Sequence, residues 1–195
     1  MSRQPRIAPP NFIYHVITRG NNKQKTFFED KDYEYYLHLL DKYKNRYKFA
    51  LYHYVLMNNH VHLMIEPTEK GTLSEIMKSI NLSYVIYFRK QYGGIGHFWQ
   101  DRFKSLLISN ERYLLKCASY IELNPVKAGF VKNPKDYKWD SYRFYAQGEY
   151  NDLLSLNPMY LSLGKDAFTR RKNYINFLQS MEKENSDTSI ENRPL

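Results

Sequence analysis

The chain has one cysteine, Cys117, in 195 residues. An internal disulfide is therefore excluded, and so is a zinc site built from several thiolates. Long apolar runs are missing too. No stretch approaches the ~20 residues that a membrane-spanning helix needs, and the opening MSRQPRIAPP lacks the apolar segment of a secretory signal. These absences lead to the expectation of a cytoplasmic protein with no membrane partner. Acidic residues are in short supply, 20 Asp and Glu against 29 Lys and Arg, for a net charge of +9. That balance favours a polyanionic partner, nucleic acid ahead of a membrane surface. A basic soluble protein without such a partner is the plainer alternative.

Tyrosine, by contrast, is abundant, with 19 residues. Rings that also hydrogen-bond suit stacking on unpaired bases, which turns the charge argument toward single-stranded nucleic acid. Hydrophobic residues make up 43%, enough for a core, and the length suits one domain with additions.

Phe12 to Thr18 is rich in aromatic and β-branched residues and ends at Arg19-Gly20-Asn21-Asn22, a strand followed by a turn. From Asp32 to Lys48, the positions Tyr33, Tyr36, Leu37, Leu40, Tyr43 and Tyr47 fall at helical spacing. Two further strands, Phe49 to Met57 and His60 to Glu66, are joined by Asn58-Asn59, a link that tolerates positive φ and suits a tight hairpin. Thr72-Leu73-Ser74-Glu75 is a capping box that opens a second helix, which ends at Gly93, Gly94 and Gly96. Phe103 to Ser109 reads as a fourth strand, and a helix follows from Asn110 toward Asn124, ended by Pro125. The order β-α-β-β-α-β predicts an α+β fold: a ferredoxin-like split βαβ, an antiparallel sheet with helices on one face. Residues 1–130 form the catalytic domain in this reading, 131–180 a helical extension of it, and 181–195 a disordered tail.

In a strand, residues two apart share a face. His60 and His62 therefore project together, while Val61, Leu63 and Ile65 face the other way. Such a pair can grip a metal ion, and it can equally be satisfied by hydrogen bonds on a half-exposed sheet. A histidine-triad hydrolase would need a third histidine where Met64 stands. A two-histidine phosphoesterase would need Ser or Thr two residues after each histidine, where His62 and Met64 stand. On the following helix, Leu114, Cys117, Ala118 and Ile121 make an apolar stripe. Tyr113, Lys116, Tyr120, Asn124 and Lys127 lie on a polar one, with Tyr120 and Asn124 four apart and so adjacent. A tyrosine hydroxyl can attack a phosphodiester, but a free one titrates at about pH 10 and needs help from a metal or a base. The Asn124 carbonyl oxygen would complete a two-histidine site. With nitrogen and oxygen donors and no thiolate, that site favours Mg²⁺ or Mn²⁺.

His60-Val61-His62 and the string Tyr120-Ile121-Glu122-Leu123-Asn124-Pro125-Val126-Lys127-Ala128-Gly129 resemble the HUH single-tyrosine transposases. The second string is similar to the branch associated with repetitive extragenic palindromes (REP). Arg19-Gly20-Asn21, Phe98-Trp99-Gln100-Asp101-Arg102-Phe103 and Trp139-Asp140-Ser141-Tyr142 also look like that family. The resemblance implies that His60, His62 and Asn124 hold a divalent metal against the scissile phosphate. It implies that Tyr120 attacks single-stranded DNA beside a hairpin, leaving a 5′-phosphotyrosine and a free 3′-OH, and that reversal rejoins strands. Palindromic hairpin DNA is then the expected partner, and a monomer is favoured over a homodimer. A non-catalytic hairpin-binding module on the same fold is the alternative. Arg19, Asn21, Lys23, Arg89, Gln100, Arg102, Lys104 and Lys127 are the candidate DNA contacts, at strand ends, helix ends or the catalytic stripe. Two positions depart from the family pattern: Asn58 stands where proline is usual, and Asp140 replaces the first serine of Trp-Ser-Ser-Tyr.

Overall fold

The computed structural model describes residues 7–187. Four strands, β1 (Tyr14–Arg19), β2 (Ala50–Met57), β3 (His60–Glu66) and β4 (Lys104–Leu107), form one sheet in the order β2-β3-β1-β4. Every neighbouring pair is antiparallel. Helices α1 (Asp30–Tyr47) and α2 (Leu73–Tyr92) connect them in the expected split βαβ order. They are followed by α3 (Glu111–Glu122), α4 (Asn124–Lys127), α5 (Pro158–Leu161) and α6 (Ala167–Asp187). None of these helices is long and apolar enough to cross a membrane.

Local chemistry accounts for the boundaries. At the start of α1 the buried Asp32 carboxylate accepts the amides of Phe28 and Glu29, and Lys48 closes the helix in the left-handed region with φ 56°. At α2 the capping box forms as expected: Thr72 Oγ1 accepts the Glu75 amide at 3.2 Å while Glu75 accepts the Thr72 amide at 2.9 Å. Gly93, at φ 74°, ends that helix.

Strand alternation divides the sheet into two faces. Val16, Tyr54, Leu56, Val61, Leu63 and Ile65 meet α1 and α2 in the main core, with Tyr36, Leu40, Ile76, Ile80 and Tyr84 opposite them. Val55, Met57 and Met64 point the other way and receive the α3 stripe of Leu114, Cys117, Ala118 and Ile121. The α1 and α2 pair thus sits on one face, as the sequence implies, and α3 covers part of the other. A register shift between Leu51 and His53 puts an extra residue into β2, so Tyr52 escapes the alternation and His53 pairs with Met64 on the α3 side.

Two expectations need correction. The Asn58-Asn59 hairpin uses no positive φ, since neither residue takes one. Its carbonyls face outward instead: Asn58 O accepts the amides of Thr26 and Phe27, and Asn59 O accepts that of Gly20. These bonds need no proline at position 58. The tail also begins later than expected, because α6 runs on through Asp187. Met181 packs against the cluster of Leu123, Tyr142, Tyr145, Tyr160, Tyr174 and Leu178, which carries the helix past residue 180. The rest of the expected tail, 188–195, lies outside the described residues.

Candidate active site

On the uncovered part of the second face, β3 presents His60 and His62 side by side, with ring centroids 4.9 Å apart. Each ring is held through Nδ1: His60 by Asn59 Oδ1 at 2.6 Å, and His62 by His15 Nε2 at 2.9 Å. With Nδ1 so engaged, Nε2 is the nitrogen left for another partner. In His62 that Nε2 atom is buried and has no hydrogen-bond partner. Asn124 is itself buried and lies near enough to His60 to influence its ionisation. Burial and the charge of Arg19 lower the His60 pKa to about 4, with Asn124 acting in the opposite sense. Burial, His15, His60 and Arg19 together hold His62 well below the usual imidazole range. Both rings are therefore neutral near pH 7, the form that ligates a metal.

Tyr120 comes from α3 and meets these histidines edge to face. Its ring centroid is 5.4 Å from that of His62 and 5.9 Å from that of His15. It is 37% exposed, so its hydroxyl can be reached from solvent. Lys127 Nζ lies 5.4 Å from the centre of the Tyr120 ring, and burial pushes its pKa down. Asn124 sits just past the end of α3 because Pro125 has no amide to continue the ladder. Leu123 bridges the gap in near-helical geometry, so Tyr120 and Asn124 remain one turn apart.

The donor set fits a divalent cation: two neutral imidazoles, one with a buried and unpartnered nitrogen, and an amide side chain beside the other. Among the described residues no group of three His, Cys, Asp or Glu side chains could hold a metal. An imidazole-pair site would thus depend on Asn124 for its third protein ligand.

A cleft of about 450 Å³ joins Tyr120 and His62 to Ile17, Arg19, Gln100, Asp101, Arg102 and Lys104. The structure therefore brings Arg19, Gln100, Arg102 and Lys104 together at the tyrosine, with Lys127 on its other side. Arg89 lines a separate groove of about 790 Å³ along α2, which Gln100 and Arg102 share. Lys23 is exposed, and the Asn21 amide is bonded to Phe98 O; neither residue lines the cleft.

A family model, "Transposase IS200 like", matches residues 9–124, more than half of the chain. The chain belongs to the IS200-like transposase family. Comparison with curated proteins finds no match. Among solved structures it is similar to a REP-associated tyrosine transposase bound to a REP hairpin, with a TM-score of 0.65 and 22% identity over 82% of this chain and 93% of that one. A putative transposase from Deinococcus radiodurans R1 aligns with a TM-score of 0.43 and 13% identity over 57% of this chain and 90% of that one.

Several conspicuous residues of this IS200-like transposase turn out to be structural. Asp140 and Ser141 are both buried, so the departure at position 140 does not touch a DNA-facing surface. Asp140 pairs with Val55 in a β-bridge and caps the next turn by accepting the Tyr142 amide at 3.1 Å. Trp99 is fastened by its indole N–H to Asn81 O at 3.2 Å and packs against the main core. Cys117 is buried, and burial pushes its thiol up to about 12. His53 lies fully buried under the carboxy-terminal segment. Residue-type reasoning missed His15 and Asn59, which orient the two imidazoles. Strand alternation carried a signal for the first, since His15 and Ile17 must share the face that pairs with Met64 and His62.

Proposed function

We propose that this chain is a metal-dependent single-tyrosine transposase that cuts and rejoins single-stranded DNA beside hairpins through a covalent 5′-phosphotyrosine. The observation that carries the reading is the packing of Tyr120 against His62 within one chain, at the end of a cleft lined by Arg19, Arg102 and Lys104. A site assembled from one chain supports action as a monomer. The hairpin is proposed from the likeness to the transposase solved with a REP hairpin.

The cations of the cleft bind phosphates flanking the scissile one and offset their charge. Tyr120 Oη attacks the phosphorus and gives its proton to solvent at the open mouth of the cleft. The P–O3′ bond breaks, the upstream strand leaves as a 3′-OH, and the downstream 5′-phosphate stays esterified to Tyr120. Lys127 places a cation where negative charge develops on the phenol. His60, His62 and Asn124 would hold Mg²⁺ or Mn²⁺, which when bound polarises a phosphate oxygen. His15 and Asn59 keep the two imidazole rings oriented for that role. Attack by a 3′-OH on the phosphotyrosine forms a new P–O3′ bond and releases Tyr120. One ester replaces another, so no nucleotide is consumed.

The test is an oligonucleotide carrying a hairpin and a single-stranded flank, labelled at either end and incubated with Mn²⁺. A 3′-end label should become covalently attached to protein and a 5′-end label should be freed, with neither event after chelation. Hairpin binding with no adduct in any oligonucleotide would instead favour a non-catalytic module on the same fold.

A further inference from the structure

Behind α3 lies a buried polar cluster that the mechanism above does not use. Glu122 is fully buried and its carboxylate accepts three hydrogen bonds, each from a different part of the chain. His53 Nδ1 on β2 approaches Oε1 at 2.8 Å, Ser141 Oγ donates to Oε1 at 2.7 Å, and Tyr174 Oη on α6 donates to Oε2 at 2.8 Å. The donor roles are fixed by the outer partners. Asn157 Oδ1 accepts the Met159 amide at 2.9 Å, so its Nδ2 is the atom 3.0 Å from His53 Nε2. Nε2 must then accept, and Nδ1 carries the hydrogen offered to Glu122. Ser141 Oγ in turn accepts the Tyr54 amide at 3.2 Å, and the His53 ring stacks on Tyr145 with centroids 4.2 Å apart.

The position of Glu122 on the helix gives the cluster its consequence. It lies two positions after Tyr120, a rotation of about 200° at 3.6 residues per turn. Glu122 therefore grips the back of the same turn that presents Tyr120 to the cleft, and Asn124 follows two residues later. Elsewhere α3 is held by apolar packing, its stripe on Val55, Met57 and Met64 and Leu115 on the carboxy-terminal cluster. Apolar burial is non-directional and tolerates rotation and sliding, whereas three hydrogen bonds to one carboxylate do not. Immediately beyond Glu122 the helical ladder is interrupted at Pro125, so this is also where α3 has least support of its own.

We propose that Glu122, held by His53, Ser141 and Tyr174, is a positioning residue: it fixes the rotation of α3 so that Tyr120 and Asn124 face His60 and His62 of the same chain. The carboxy-terminal segment is thereby part of the catalytic apparatus without touching DNA. The proposal rests on the phosphotyrosine reading above, and its test separates the two.

Three proteins are compared in the Mn²⁺ adduct assay: the parent, Tyr174→Phe, and a control, Tyr160→Phe. Tyr160 is a buried hydroxyl of the same carboxy-terminal cluster, bonded to Tyr145 O at 2.9 Å and not to Glu122. At saturating hairpin oligonucleotide, Tyr174→Phe should form adduct about tenfold or more slowly, because small misplacements of a reacting group carry large rate costs. Its half-saturating DNA concentration should stay within about twofold of the parent, marking a loss confined to the chemical step. The Tyr160→Phe control should keep the parent rate even where its melting temperature falls as far. Ser141→Ala, which removes a second donor, should behave as Tyr174→Phe does. Parent-like adduct rates in both Tyr174→Phe and Ser141→Ala would overturn the positioning role while leaving the function standing. Absence of adduct from the parent itself would overturn the function, and the positioning role with it.

Discussion

The Nδ1 atom of His62 lies 2.9 Å from Nε2 of His15, and the opposite nitrogen of His62 is buried without a partner. His15 thus acts on the candidate metal site through one imidazole, by fixing which nitrogen of His62 is free. Removing it by His15→Ala should weaken Mn²⁺ binding about 10- to 100-fold, the usual cost of losing the group that orients a ligand. Titration calorimetry of the DNA-free protein measures this directly. His15→Gln, whose amide oxygen can still accept from His62, should lose less.

The same cluster gives the metal-free protein a pH dependence. Burial holds His15 at about 4, as burial and Arg19 hold His60, against about 6.5 in an unfolded chain. Between those values the unfolded state binds more protons than the folded one, so stability rises with pH across that window. The melting temperature should accordingly decline as pH falls from about 6.5 toward 4. His60→Gln should make the decline shallower, as differential scanning calorimetry across that range would show.

Asp140 illustrates a cost carried by the chain. Its Oδ2 is buried with no hydrogen-bond partner, and burial followed by the charge of Glu122 raises its pKa well above the ordinary carboxylate range. A raised folded pKa means that stability is lost as pH rises above the unfolded value of about 3.9. Asp140→Ser keeps an acceptor for the Tyr142 amide and removes the stranded oxygen. It should stabilise the protein at pH 7 by about 1–3 kcal/mol, read as a rise in melting temperature. Hairpin binding should not change.

Lys104 lies at the edge of the sheet and lines the cleft beside Tyr120. If it meets one phosphate, Lys104→Ala should lower the slope of log affinity against log salt by about 0.7, the value for one contact on a single strand. Fluorescence anisotropy at several salt concentrations gives the slope. An unchanged slope would place the DNA backbone elsewhere.

The co-facial pair at His60 and His62 follows from strand periodicity alone, and the adjacency of Tyr120 and Asn124 from helical spacing. Both are local rules that the fold does not disturb. The partners of those residues were harder to see, because they depend on register between distant segments. His15 reaches His62 only through the pairing of β1 with β3. The cluster at Glu122 depends on Ser141, Asn157 and Tyr174 arriving from the distant carboxy-terminal segment to meet His53, which strand alternation places beside Val55 on the α3 side; no local pattern of residue types announces that meeting. Ser141 lies in a string that resembles the family, and that string serves the interior: Ser141 is buried against Glu122. The helix through 181–187 was hidden by its polar composition, since one packing residue, Met181, extends α6 into that stretch.

Tyr120 is the group that the proposed mechanism joins to DNA. Tyr120→Phe removes one oxygen from a partly exposed ring and leaves its packing on His62 and His15 in place. The decisive measurement is intact-protein mass after incubation with a hairpin oligonucleotide and Mn²⁺, for parent and variant side by side. A phosphotyrosine intermediate requires a mass increase equal to the downstream DNA fragment for the parent and none for Tyr120→Phe, with equal hairpin affinity in both. A Tyr120→Phe protein that still acquires the DNA mass at the parent rate would contradict it.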